Sequence, residues 1–215
     1  MVRRTKEEAF ETRQSIIDAA EQCFHEKGVS RASLTDIAQA AGVTRGAIYW
    51  HFQDKADLLD ALFQRINMPL EALSEATRNP DEPHPLELFR ELLTEVFRRV
   101  ESDPTTRRVH EIIFLKCEYT DEPCGPKKHL QAMRQEHDNQ LLTTLRLAIA
   151  RGELPSDLDI ELALLCVHSF IIGVINQWLM VPSRLSLSER ASEVADAILD
   201  MLKLSPAMRT GKAAS

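Results

Sequence analysis

The stretch SLTDIAQAAGVTRGAIYWHFQDK, residues 33–55, decides the reading of this chain. Ser33 precedes an apolar-periodic segment and Asp36 follows three residues later, the spacing of a capping box, so a helix is expected over Leu34 to Ala41. Gly42 suits the left-handed residue that ends a helix, and the small side chain of Ala38 lets a second helix come close. Thr44 can cap that second helix, expected from Arg45 to about Phe52. Its Ile48 and Phe52 share one face at i, i+4 spacing, whereas Arg45 and Tyr49 share a different face. A helix this short, anchored by one apolar pair and presenting Arg, Gly, Tyr, Trp and His elsewhere, suits the DNA major groove. There an arginine can pair with a guanine edge in bidentate fashion. The alternative is an ordinary helical hairpin whose aromatics serve a core.

The string TRGAIYWHFQDK resembles the recognition helix and following cap of the tetracycline-repressor (TetR) family. Its flanks are similar too: RRTKEEA at the N-terminus, IIDAAEQCFHEKGV as a first helix, and a further helix opening at Asp54. Later, EIIFLKCEYTDE and QWLMVP resemble the narrower AcrR- and TtgR-like group that represses multidrug efflux pumps. The resemblance covers nearly the whole chain and is most specific in residues 1–60. It implies an all-α fold: a three-helix DNA-binding head with a helix-turn-helix (residues 1–54), a six-helix effector-binding and dimerisation body (55–205), and a flexible tail (206–215). It further implies a homodimer on a palindromic double-stranded DNA operator, released by small hydrophobic or aromatic effectors. A TetR-like regulator of a non-efflux pathway is the alternative, with a helical enzyme a distant third.

On the head, the expected DNA-contacting residues are Thr35, Thr44, Arg45, Gly46, Ala47, Tyr49, Trp50, His51 and Lys55. Arg45 can reach a base edge, while Thr44, Tyr49, His51 and Lys55 are better placed for phosphates. In the body, the resemblance implies an effector site around His110 and Phe114, Asn67 and Leu70, Ile171 and Ile175. Ile66, Leu92, Val96, Met133, His137, Leu141 and Trp178 join the same site. His168, Asn176 and Gln177 are further polar residues on apolar faces. Such a pocket is mostly apolar with a few polar groups.

Charge supports the reading only through its distribution. The net charge is −7, yet residues 1–55 hold eight Lys/Arg against eight Asp/Glu. The remainder, eighteen against twenty-five, carries the whole excess. Attraction to phosphate must therefore come from geometry, with Arg3, Arg4, Lys6, Arg45 and Lys55 expected on one surface and an acidic body pointing away. At 215 residues the chain is one or two small domains, enough to bury about 70% of its unfolded surface.

Cys23, Cys117, Cys124 and Cys166 show no metal-ligand or CxxC spacing, and no signal peptide is evident. Free thiols, a cytoplasmic location, and no cofactor or metal are expected. Glu111 and Glu118 could be paired carboxylates beside His110, but no nucleophile motif or phosphate loop accompanies them.

Leu162–Val181 has fifteen apolar residues in twenty, long enough in principle to cross a bilayer. His168, Ser169, Asn176 and Gln177 interrupt it and no basic anchors flank it, so burial on several faces is expected instead of membrane insertion. Leu187, Ala191, Val194, Ile198 and Met201 recur at 4,3,4,3 spacing and are expected to form the dimer seam with it. Pro69 interrupts the helix that opens at Asp54. We expect a kink there because Leu70 and Leu73 continue the stripe of Phe63 and Ile66; the alternative is that the helix ends near Met68.

Overall fold

A computed structural model describes residues 6–118 and 126–211. Among them the regular secondary structure is helical apart from an isolated β-bridge between Leu158 and Arg209. The helices are α1 (Lys6–Lys27), α2 (Leu34–Ala40), α3 (Arg45–His51), α4 (Lys55–Asn67), α5 (Glu71–Ala76), α6 (Pro85–Ser102), α7 (Pro104–Leu115), α8 (Pro126–Ala150), α9 (Ile160–Met180) and α10 (Ala191–Leu204). They fall into two compact units: residues 1–67 with 108–132, and residues 68–107 with 133–215. The first unit thus holds α4, which the domain limits expected from the sequence assigned to the body, and most of α7.

The first unit is built by local rules. Ile16, Ile17, Ala20 and Phe24 recur on one stripe of α1 and are all buried. Gly28, at φ 81°, takes the left-handed geometry that stops this helix. Ile37, Ile48, Phe52, Leu58 and Leu62 complete the core together with Val109, Ile112 and Ile113 of α7. Each such side chain contributes roughly 1.5–3 kcal/mol on burial. Asp54 accepts the Ala56 and Asp57 N–H groups at 2.7 and 3.0 Å and so starts α4.

α4 ends at Asn67, where Met68–Leu70 form a 3-10 turn and α5 begins as a separate helix. The expected kink is therefore replaced by a break. Pro69 has no N–H for the helical ladder, and the continuing stripe of Leu70 and Leu73 belongs to another element, packed with α6 in the second unit.

In the second unit α6 and α10 pair along their stripes. Leu86, Phe89, Leu93, Phe97 and Val100 of α6 are buried, as are Ala191, Ala195, Ile198, Leu199 and Leu202 of α10. The residues expected in the dimer seam divide between full and partial burial within the chain. Leu187, Ala191 and Ile198 are 1%, 1% and 0% exposed inside their own chain, and Val194 and Met201 are half-buried. The spacing announced helix-on-helix packing, and α6 of the same chain supplies the helix.

Asp159 caps α9 by accepting the Leu162 N–H at 3.1 Å. α9 is long and apolar enough to cross a membrane by length and composition. One side buries Ala163, Val167, Ile175, Trp178 and Leu179 within the unit, while Leu165, Ile172 and Met180 remain exposed.

The tail expected to be loose from residue 206 is instead docked as far as the structure describes it. Met208 is buried, its carbonyl accepts the Asp159 N–H at 2.8 Å, and Thr210 N–H bonds the Asp157 carbonyl at 2.7 Å. Arg209 donates to the Leu202 and Lys203 carbonyls, satisfying the exposed end of α10.

Candidate nucleic-acid interface and sensing side chains

The reading helix α3 is held from three sides by short-range chemistry. Ser33 Oγ accepts the Asp36 N–H at 3.1 Å while Asp36 Oδ2 accepts the Ser33 N–H at 2.9 Å, a reciprocal cap on α2. Asp36 also pairs with Lys27 at 2.8 Å. The Lys27 ammonium and the Ser33 donors hold its carboxyl well below the usual carboxylate range. Gly42 sits at φ 65°, and Val43 N–H bonds the Ala38 carbonyl at 3.0 Å to close the turn. Thr44 Oγ1 then accepts the Ala47 N–H at 3.2 Å to start α3.

Ile48 is fully buried and Phe52 is 3% exposed, with Arg13 of α1 over the Phe52 ring at 5.1 Å. On the outer side Thr44, Arg45, Gly46, Tyr49 and Trp50 are exposed, and Ala47 and His51 are half-buried. Thr35 is exposed on α2. Trp50, the most exposed of these aromatics at 78%, meets His51 edge-on with centroids 5.2 Å apart. Arg45 Nη2 donates to the Tyr49 hydroxyl at 2.9 Å, and its guanidinium lies 5.5 Å from the Tyr49 ring centre. The two side chains expected to share a face are thus locked together on it.

Gly46 has no steric need to be glycine. A Cβ there would meet only Thr44 Oγ1, at an ordinary 3.9 Å, and its φ is not in the left-handed region. Glycine inside a helix costs about 1 kcal/mol relative to alanine.

Lys55 has partners within the chain. Its ammonium donates to the Val29 and Ser30 carbonyls at 2.7 and 2.9 Å, fastening the start of α4 to the turn after α1. Of the five cations expected together, Arg3, Arg4 and Lys6 lie at the N-terminus, where the structure describes only Lys6, which is exposed.

The effector residues implied by the resemblance divide between the units. Ile66, Asn67, His110 and Phe114 belong to the first; Leu70, Leu92, Val96, Met133, His137, Leu141, Ile171, Ile175 and Trp178 belong to the second. Ile66 is 4% exposed and is a member of the head's core. His110 is buried and stacks on Phe114 with centroids 5.9 Å apart. In the second unit Leu92, Val96, Met133, His137 and Ile171 are half-buried, while Leu141, Ile175 and Trp178 are buried. Trp178 Nε1 donates to the Leu185 carbonyl at 3.1 Å, and Arg107 covers its ring at 5.2 Å.

Asp138 lies 2.6 Å from His168 Nδ1, joining α8 to α9. Burial pushes the pKa of both His137 and His168 down, and repulsion from the neighbouring His168 adds to that for His137. This pair was not foreseen, since nothing in sequence links positions so far apart.

The rival chemistries lose their residues to other tasks. Glu111 pairs with His25 at 2.9 Å. Cys23 is buried, and burial pushes the Cys117 thiol up to about 11, far from a reactive thiolate. Cys124 lies outside the described residues. Among the described residues no group of three or more His, Cys, Asp or Glu could hold a metal.

Residues 16–62 match the family model described as bacterial regulatory proteins, tetR family, and residues 84–204 match that of the MAATS-type transcriptional repressor C-terminal region. TtgR of Pseudomonas putida is 44% identical over 209 residues, covering 97% of this chain and 100% of that one. NalD, the secondary repressor of the MexAB-OprM multidrug efflux pump in Pseudomonas aeruginosa, superposes with a TM-score of 0.78 at 32% identity, covering 93% of this chain and 100% of that one. SmeT, repressor of the Stenotrophomonas maltophilia pump SmeDEF, superposes in its triclosan complex with a TM-score of 0.79 at 28% identity, over 94% and 96%. A capped helix small enough for a DNA groove, two family models that together match residues 16–62 and 84–204, and a relative 44% identical over 97% of the chain leave one assignment: this chain belongs to the TetR family of bacterial transcriptional regulators, which bind DNA and catalyse no reaction.

Proposed function

We propose that this chain is a ligand-responsive repressor of a multidrug efflux operon, working in the cytoplasm as a homodimer on a palindromic operator. The observation that carries the DNA half of this reading is the outer face of α3: Thr44, Arg45, Gly46, Tyr49 and Trp50 stand exposed on a helix pinned by Ile48 and Phe52. The relatives TtgR, NalD and SmeT, the last two named as repressors of efflux pumps, support the pump as target. Arg45 reads a base edge, and Thr44, Tyr49 and His51 meet phosphates. Lys55 acts by holding α4 and the 29–30 turn in place.

Two copies are needed because one head reads one half-site. The surface for the second copy is the outward side of α9, where Leu165, Ile172 and Met180 leave apolar area uncovered, continued by Val181 and Leu185. Small hydrophobic molecules are the effectors. In the first unit the stacked His110 and Phe114 offer them an aromatic face with a polar point. Their binding favours a conformer whose paired heads no longer match successive major grooves. By linkage, operator DNA weakens effector binding by the same factor.

The test is a shift assay on duplexes selected from random DNA by the wild-type protein. Arg45→Ala should cost about 1–3 kcal/mol and relax preference at one base position per half-site. Gly46→Ala should stabilise the fold by up to about 1 kcal/mol while weakening DNA binding, which separates a groove contact from a folding defect. Selection of no common sequence, or an Arg45→Ala protein with unaltered preference, refutes the assignment of α3.

A further inference from the structure

The boundary between the two compact units falls inside α7, between Arg107 and Arg108. The residues beyond it, 108–116, meet α1 through polar contacts on top of the apolar packing of Val109, Ile112 and Ile113. Arg108 Nη1 donates to Glu21 Oε1 at 3.0 Å. One turn further along each helix, Glu111 Oε2 lies 2.9 Å from His25 Nε2. Beyond that, Lys116 Nζ donates to the His25 carbonyl, and the Lys116 carbonyl accepts the Val29 N–H at 3.0 Å. Glu21 and His25 are i, i+4 neighbours on α1, and the Val29–Lys116 contact ties the turn after α1 to the residue that follows α7.

Glu21 also faces α4. Its side chain is 7% exposed, and its other oxygen, Oε2, lies 3.5 Å from Arg65 Nη1. Arg65 is further held by Asp18 Oδ1 at 2.7 Å and Gln14 Oε1 at 3.1 Å. A single buried carboxylate therefore joins three helices: α1, which packs on α2; α4, which follows the reading helix; and α7. Its acidity shows the cost, because burial raises its pKa despite two guanidinium partners. A desolvated charge with fixed partners tolerates little displacement, since moving one arginine strands the carboxylate in the core.

We propose that Glu21, with Arg108 and the His25–Glu111 pair, forms the polar junction through which α7 communicates with the DNA-reading helices. His110 and Phe114 stack on the same stretch of α7, interleaved with Arg108 and Glu111, so the inference rests on the reading that these two face the effector. A shift of α7 at His110 and Phe114 moves Arg108 and Glu111, and these carry α1 and α4 with them. The four are positioning residues: none touches DNA or effector.

Arg108→Met and Glu111→Gln remove one contact each, and neither leaves a large cavity. Arg108→Lys keeps a cation, and the exchange His25→Glu with Glu111→His restores the second pair with its partners reversed. Duplex affinity is measured with and without saturating triclosan, and triclosan affinity is measured separately by calorimetry. Arg108→Met and Glu111→Gln should each reduce the ratio of duplex affinities by roughly fivefold or more and leave the two separate affinities within about threefold. The Lys and exchange variants should regain the ratio. An unchanged ratio in both broken variants overturns the proposal.

Hydrogen exchange with duplex alone provides an arm that needs no effector. Duplex binding should alter protection of residues 108–116 in the wild type and not in Arg108→Met. Equal protection changes in the two overturn the junction, whereas wild-type protein that triclosan leaves on DNA refutes only the effector reading.

Discussion

α9 and α10 carry comparable apolar runs and were expected to meet the same partner, but the fold uses them differently. α10 spends its stripe inside the chain, where Ala191, Ala195, Ile198, Leu199 and Leu202 disappear against α6. α9 has apolar residues on more sides than its own unit covers, so Leu165, Ile172 and Met180 are left over. The width of the apolar surface separates the cases. A stripe of about 100° satisfies one neighbour, and a helix apolar nearly all round demands a second. The seam spacing at 187, 191, 194, 198 and 201 reported that α10 packs on a helix, and carried no information on whose helix it was.

That difference can be broken most sharply at Ile198. Ile198→Asp would bury an unpaired charge at a site with no exposure, a cost of several kcal/mol. The expected outcome is loss of the cooperative thermal transition followed by circular dichroism. A folded, merely monomeric Ile198→Asp protein would return α10 to the dimer seam.

Ile172→Asp should have the opposite profile. This residue is 39% exposed in the isolated chain, so the fold should survive while self-association weakens about 10-fold to 100-fold, or roughly 1.4–2.8 kcal/mol. Sedimentation at micromolar concentration reads it directly. Unchanged association would remove the outward side of α9 from the proposed interface, and unfolding would mean that this side is already packed.

The smallest effect concerns the inward side of α9. His168 and its neighbour His137 on α8 have pKa values lowered by burial. The unfolded chain therefore takes up protons that the folded chain refuses as pH falls through the ordinary histidine range. Stability is fully present above about pH 6.5 and declines below it. The melting temperature should drop by a few degrees between pH 7.5 and 5.5, and His137→Gln should flatten that slope. The groups facing His168 are Asp138, Arg134 and His137, and Asp138 opposes the trend by favouring the charged imidazole. A melting temperature that rises on acidification would mean the Asp138 pairing outweighs burial.

The head was legible almost residue by residue. The Ser33–Asp36 cap, the Gly42 turn, the Thr44 cap and the Ile48–Phe52 anchor all stand as the spacing predicts. Each of these contacts spans three to five residues, so the relevant geometry is contained in little more than one helical turn. Legibility fails where the partner is remote. Lys55 was read for phosphates alone, and its ties to carbonyls 25 and 26 positions earlier were not foreseen. Pro69 was read against a stripe that continues across it, yet the two halves of that stripe belong to different packing units. Arg209, expected in a loose tail, closes α10 because helix ends always leave carbonyls to be satisfied.

The sequence by itself determined the helical class, the capped reading helix with Arg45 and Tyr49 on its outer face, and the family to which the chain belongs. The first two follow from local propensity and i, i+3 or i, i+4 spacing, and the family follows from the resemblance carried by TRGAIYWHFQDK and its flanks. Only the tertiary structure decided which helix covers α10, that Glu21 lies between Arg65 and Arg108, and that Asp138 meets His168. The Glu21–Arg108 contact joins residues 87 positions apart. At that separation an apolar stripe or a lone charge states only that a partner is needed, and burial, which is non-directional, leaves the choice to the packing of the whole chain.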